Sequence, residues 1–136
     1  MTRFLFSGLV FFAVALLLAA LPVVAHGHNT PSAGLPCTVV GTSGADLLEG
    51  TSGQDVICGR GGADIITAKG GDDVVRGGRG ADTIYGDSGN DTLAGGRGND
   101  DIYARDSAHD HVLGGAGSDY ARVDNPLDTL KSVEST

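Results

Sequence analysis

The sequence predicts an all-β fold, a right-handed parallel β-roll in which two nonapeptide repeats make one coil. Three observations lead there. Seven consecutive nonapeptides between Gly41 and Tyr103 follow the pattern Gly-x-x-Gly-x-Asp-x-aliphatic-x. An Asp returns at every ninth residue, at 46, 55, 64, 73, 82, 91 and 100. Two residues after each Asp stands Leu48, Ile57, Ile66, Val75, Ile84, Leu93 or Ile102. A short period kept over so many copies is the mark of a solenoid, whose units bury their apolar faces only by stacking.

The chain begins with Arg3, an apolar stretch from Phe4 to Leu21, Pro22 and then Val23-Val24-Ala25. This order predicts a secretory signal peptide over residues 1–25, cleaved after Ala25, and an extracellular, secreted product. The competing reading is a membrane anchor, because the apolar run approaches the length that spans a bilayer. Residues 26–40 read as a linker and an N-terminal capping coil. In that coil Cys37 takes the place of the Asp, and Val39 takes that of the aliphatic residue. Cys37 and Cys58 suit one disulfide in an exported protein. Free thiols and a zinc site are the weaker alternatives. Placing Cys37 opposite Asp55 predicts that the capping coil shifts phase to bring the sulfurs together.

Within the roll, assigned to residues 41–122, a unit such as Gly77-Gly78-Arg79-Gly80-Ala81-Asp82 is too glycine-rich for a helix and forms a turn. Thr83-Ile84-Tyr85 then forms a three-residue strand pointing out, in and out. With two repeats per coil, residues eighteen apart stack. Leu48, Ile66, Ile84 and Ile102 line one sheet, and Ile57, Val75 and Leu93 line the other. Ala104–Leu113 is a ten-residue coil with one insertion, which leaves Asp110 doubtful as a ligand. Gly114–Arg122 closes the array with Asp119, and residues 123–136 form a C-terminal cap.

One aliphatic side chain per nine residues makes a thin core, so another source of stability is required. The Asp residues form two lines of carboxylates with strands ~4.8 Å apart. Such lines repel unless cations lie between them. Carboxylates with free loop carbonyls are hard oxygen donors of the kind that hold Ca²⁺.

GGRGADTIY, GGRGNDDIY and GDSGNDTLA resemble the RTX (haemolysin-type) calcium-binding repeat. The resemblance covers Gly41 to Arg122. It implies a parallel β-roll with Ca²⁺ bound between turns through the Asp and the loop carbonyls. The ligands it implies are Asp46, Asp55, Asp64, Asp73, Asp82, Asp91, Asp100 and Asp119, holding about five to seven ions. The leader, the Cys37–Cys58 spacing and the Ala-Arg-Val-Asp ending also look like small exported members of that family. The N-terminal leader departs from relatives secreted through a C-terminal signal. Repeats starting at Gly41, Gly50, Gly59 and Gly86 lack the second glycine, and Ala68 replaces the first in its own repeat. Those loops are expected to bind more weakly.

A formal charge of −8 makes nucleic acid and anionic membranes poor partners. Outward residues Leu47, Val56, Ile65 and Val74 make an apolar outer face. It either docks a partner or is covered by the segment Leu35–Val40 held by the disulfide; the cover is the expected outcome. His26-Gly27-His28 would chelate Cu²⁺ or Ni²⁺ if cleavage exposes it, and is otherwise a polar tail. Ser107, His109, Asp110 and His111 evoke a hydrolase or zinc site but fit a solvated turn better. Outside the repeats and the leader too little chain remains for a catalytic domain. The expected protein is therefore a monomeric calcium binder and not an enzyme. The alternative is a calcium-stabilised structural or adhesive component of a cell surface or matrix.

Overall fold

The structure, a computed structural model, describes residues 34–133. The leader and His26-Gly27-His28 lie outside the described residues. Eleven strands follow one another among those described: β1 (Val39–Val40), β2 (Leu47–Glu49), β3 (Val56–Gly61), β4 (Ile65–Thr67), β5 (Val74–Arg79), β6 (Thr83–Tyr85), β7 (Thr92–Arg97), β8 (Asp101–Ala104), β9 (His111–Ala116), β10 (Tyr120–Val123) and β11 (Thr129–Lys131). Odd-numbered strands form one six-stranded sheet and even-numbered strands form a five-stranded sheet. Every strand pairing is parallel. Each coil contributes one strand to each sheet, which is the parallel β-roll with two repeats per coil.

The register is the eighteen-residue one. Leu48 pairs Ile66, Ile66 pairs Ile84, and Ile84 pairs Ile102. On the other sheet Ile57 pairs Val75 and Val75 pairs Leu93. These two columns are buried and form the core together with Val112, Ala68 and Ala104. The four inner strands of the odd sheet, β3, β5, β7 and β9, run to six residues instead of the expected three, because the loop after the strand also pairs from turn to turn, Gly78 with Gly96 and Arg79 with Arg97. The alternate sheet keeps three- or four-residue strands. On its outer face Tyr85 and Tyr103 stack with ring centroids 4.9 Å apart.

The insertion is absorbed as the sequence implies, and two other expectations are corrected. The loop takes up the extra residue of the insertion, with Ser107 at φ 69°, and pairing resumes in phase with His111 on Thr92 and Val112 on Leu93. Strand pairing continues into both capping segments, with β1 before residue 41 and β11 after residue 122. The capping coil does not shift phase. Val39 pairs Ile57 and Val40 pairs Cys58, while Cys37 leaves the ladder and bonds Cys58 with Cα atoms 6.0 Å apart. The cover over the apolar outer face is only half made. Val56 and Cys58 are buried, but Leu47 and Ile65 are 70% and 48% exposed. Successive repeats face opposite sheets, so a segment held at Cys58 covers one of them and leaves the other open.

Candidate metal centre

In each repeat the Asp immediately precedes or begins the strand, and side chains alternate from there. The Asp, the aliphatic residue two places on and the glycine or alanine four places on therefore all point inward. Asp64, Asp73, Asp82, Asp91, Asp100, Asp110 and Asp119 are buried, with Asp100 wholly inaccessible. The carboxylates flank the hydrophobic core and do not form a solvated edge.

One carboxylate oxygen of each is accounted for by the turn below. Asp64 Oδ1 accepts the Asp46 N–H at 2.9 Å, Asp82 Oδ1 that of Asp64 at 2.9 Å, and Asp100 Oδ1 that of Asp82 at 2.9 Å. Asp119 Oδ1 completes this file, accepting the Asp100 N–H at 3.1 Å. The second file runs from Asp55 through Asp73 and Asp91, by bonds of 2.7 and 2.9 Å. It continues through Asp110 and Asp128, each by a bond of 2.9 Å. The eight Asp residues singled out in the sequence thus all stand in the two files. Asp110, left doubtful, and Asp128, assigned to the cap, stand there too. The signal for the last pair is present in the chain, because Asp110-x-Val112 and Asp128-x-Leu130 are eighteen residues apart.

The other oxygen is different. Oδ2 of Asp64, Asp73, Asp82, Asp91, Asp100 and Asp119 is buried and has no hydrogen-bond partner. A desolvated carboxylate oxygen without a partner is costly. Burial is the main force that raises Asp91 to about 7; the Asp73 N–H opposes it, and the charges of Asp110, Asp73 and Asp106 reinforce it. Burial likewise raises Asp100 to about 6, against the Asp82 N–H and with help from Asp82, Asp119 and Asp101. Asp64, Asp73, Asp82 and Asp110 are raised for the same leading reason.

Five of these six Oδ2 atoms face bare glycine backbone, while Ala68 holds the corresponding place beside Asp73. A Cβ on Gly77 would meet Asp82 Oδ2 at 2.4 Å and the Gly95 carbonyl oxygen at 2.7 Å. On Gly95 it would meet Asp100 Oδ2 at 2.3 Å and the Gly114 carbonyl oxygen at 2.7 Å. Glycine at this position leaves room where carboxylate and carbonyl oxygens converge. Among the described residues no three His, Cys, Asp or Glu side chains gather at one point. A cation held here would therefore draw much of its shell from backbone oxygen. Hard oxygen donors, excess negative charge and unpartnered buried oxygens fit Ca²⁺.

Ser107, His109, Asp110 and His111 do not assemble into a catalytic set. Asp110 belongs to the file, the His109 N–H donates to Asn90 Oδ1, and the His111 ring contacts Thr129 Oγ1.

A family model for the RTX calcium-binding nonapeptide repeat (4 copies) matches residues 40–75 and 67–102. No curated protein matches the chain. Among solved structures, the chain is similar to the AlgE6R3 subunit of the Azotobacter vinelandii mannuronan C5-epimerase. That similarity has 26% identity, a TM-score of 0.45, and coverage of 60% of this chain and 52% of that one. The chain thus spans about half the length of that structure.

Proposed function

We propose, from the premise that residues 40–102 are RTX calcium-binding nonapeptide repeats, that the protein is an exported β-roll whose folding depends on Ca²⁺. The observation that carries this reading is the set of six buried, unpartnered Asp Oδ2 atoms. Asp64, Asp73, Asp82, Asp91, Asp100 and Asp119 would hold the ions with loop carbonyls, within the range of about five to seven ions expected from the repeats. Bound calcium supplies the positive charge that offsets carboxylate repulsion and desolvation.

The chain's own residues do the remaining work. Each Asp fixes its neighbour's backbone through Oδ1, and its own carbonyl accepts from a residue in the next turn, as Asp64 does from the Thr83 N–H at 2.8 Å. Loss of charge balance at one level therefore reaches the levels beside it, and binding is cooperative. The Cys37–Cys58 bond supports export to an oxidising compartment. Extracellular calcium modules have Kd ~10⁻⁴–10⁻³ M, the range expected here.

Far-UV circular dichroism in EDTA and then in millimolar CaCl₂, paired with calorimetric titration, tests the reading. β-structure should appear or increase on adding calcium, with several ions bound per chain. An unchanged spectrum with no heat of binding overturns it.

A further inference from the structure

The two files do not begin as they continue. The second residue of most loops has a left-handed backbone: Gly78, Gly96 and Gly115 at φ near 120°, and even Arg60, Lys69 and Asp87 at 79°, 79° and 62°. The fourth residue follows suit at Gly62, Gly71, Gly80, Gly89, Gly98 and Gly117. The first two loops, Gly-Thr-Ser-Gly-Ala-Asp46 and Gly-Thr-Ser-Gly-Gln-Asp55, do neither. Thr42 and Thr51 are β-branched, and positive φ is strongly disfavoured for such residues. Their loops close instead as hydroxyl turns, with the Gly44 N–H on Thr42 Oγ1 at 3.1 Å and the Gly53 N–H on Thr51 Oγ1 at 3.2 Å.

That turn aims two donors at the carboxylate. Asp46 Oδ2 accepts the Thr42 N–H at 2.6 Å and the Thr42 hydroxyl at 3.0 Å. Asp55 Oδ2 accepts the Thr51 N–H at 2.6 Å and the Thr51 hydroxyl at 2.8 Å. Thr38 of the capping segment completes Asp55, donating its hydroxyl to Oδ1 at 3.0 Å. Hence Asp46 and Asp55 are absent from the carboxylates with an unpartnered Oδ2. At the far end Asp128 has a similar arrangement: Oδ1 takes the Asp110 N–H, and Oδ2 takes the Asn125 N–H at 3.2 Å.

We propose that Thr42 and Thr51 stand in for the cation at the first level of each file, making the N-terminal coil a calcium-independent template for the calcium-dependent coils above it. The proposal rests on the calcium reading for those upper coils and reassigns Asp46 and Asp55 from cation ligands to hydroxyl-capped carboxylates. It also gives the roll a direction of assembly, from the disulfide-bonded end toward Asp119.

Amide hydrogen exchange on the full chain tests this, with the disulfide intact in every sample. In EDTA, amides of residues 41–58 should stay protected while those of residues 82–119 exchange freely. The double variant Thr42→Gly with Thr51→Gly restores glycine at the second position and should lose the protection at 41–58 in EDTA. Thr42→Ser with Thr51→Ser keeps the hydroxyls and should retain it. Equal exchange of the two segments in wild-type protein, or wild-type protection in the double glycine variant, overturns the proposal. Adding CaCl₂ reads the other claim separately. If calcium fails to slow exchange at 82–119, the calcium reading falls, while the EDTA contrast still decides the role of the threonines.

Discussion

Gly53 and Gly80 hold the same place in their repeats, yet the chain around them treats a methyl group in opposite ways. Gly80 has φ 121°, and a Cβ there would lie 1.9 Å from the Gly62 carbonyl oxygen. Gly53 lacks a positive φ, and a Cβ there meets nothing within 4 Å. Gly80→Ala should therefore destabilise the calcium-loaded roll by ~1–3 kcal/mol or more, through backbone strain and a clash with main chain that cannot swing aside. Gly53→Ala should be neutral or stabilising by up to ~1 kcal/mol, because it only reduces the freedom of the unfolded chain. Thermal melts of the two variants in CaCl₂ check this, and equal losses would contradict it. The pattern Gly-x-x-Gly makes these glycines look alike. What separates them is the neighbouring β-branched Thr51, which forces a different turn. That signal is present in the sequence but silent until the backbone angles are known.

At the scale of elements, the nine-residue period made the strands, the eighteen-residue register and both aliphatic columns legible, because one period fixes all three. The inward turn of the Asp was equally available, since the sixth and eighth positions of a strand-like segment share a face. Its place at the end of a glycine-rich turn masks that alternation. The extra residue in Ala104–Leu113 was harder to place, because a loop at the roll's edge absorbs it without disturbing the Asp91–Asp110 bond. Only the N-terminal element depends on covalent help. β1 is two residues long, and the segment before it bonds the Val56 carbonyl through the Thr38 N–H and is tied down at Cys58. Replacing both cysteines by serine opens a loop with a sequence separation of 21 and should cost ~3 kcal/mol in CaCl₂. Denaturant melts of the variant check the value. A loss below ~1 kcal/mol would mean that β1 holds by its ladder bonds alone.

For the whole molecule, the buried files make stability depend on pH in opposite senses with and without calcium. Asp91 is raised to about 7 and Asp100 to about 6, and Asp64, Asp73, Asp82 and Asp110 are raised as well, burial being the main cause throughout. A carboxyl whose folded pKa lies above its unfolded value binds protons more readily in the folded state. With calcium chelated, stability should thus rise as pH falls from about 8 through about 7 and 6, and level off near the ordinary carboxyl value of ~3.8. Asp55 runs the other way: burial raises it, but the Thr51 N–H, the Thr51 hydroxyl and the Thr38 hydroxyl together hold it below its ordinary value. Its contribution is lost only as pH falls below that value, outside the window. When calcium is present, protons compete with the cation for the same oxygens, so the calcium-induced gain in Tm should shrink between pH 8 and pH 5. Melts at the two pH values, each with chelator and with CaCl₂, would show both trends. Metal-free stability that instead rose with pH would mean the carboxylates are not buried as a charged file, and the reason for a calcium requirement would go with it.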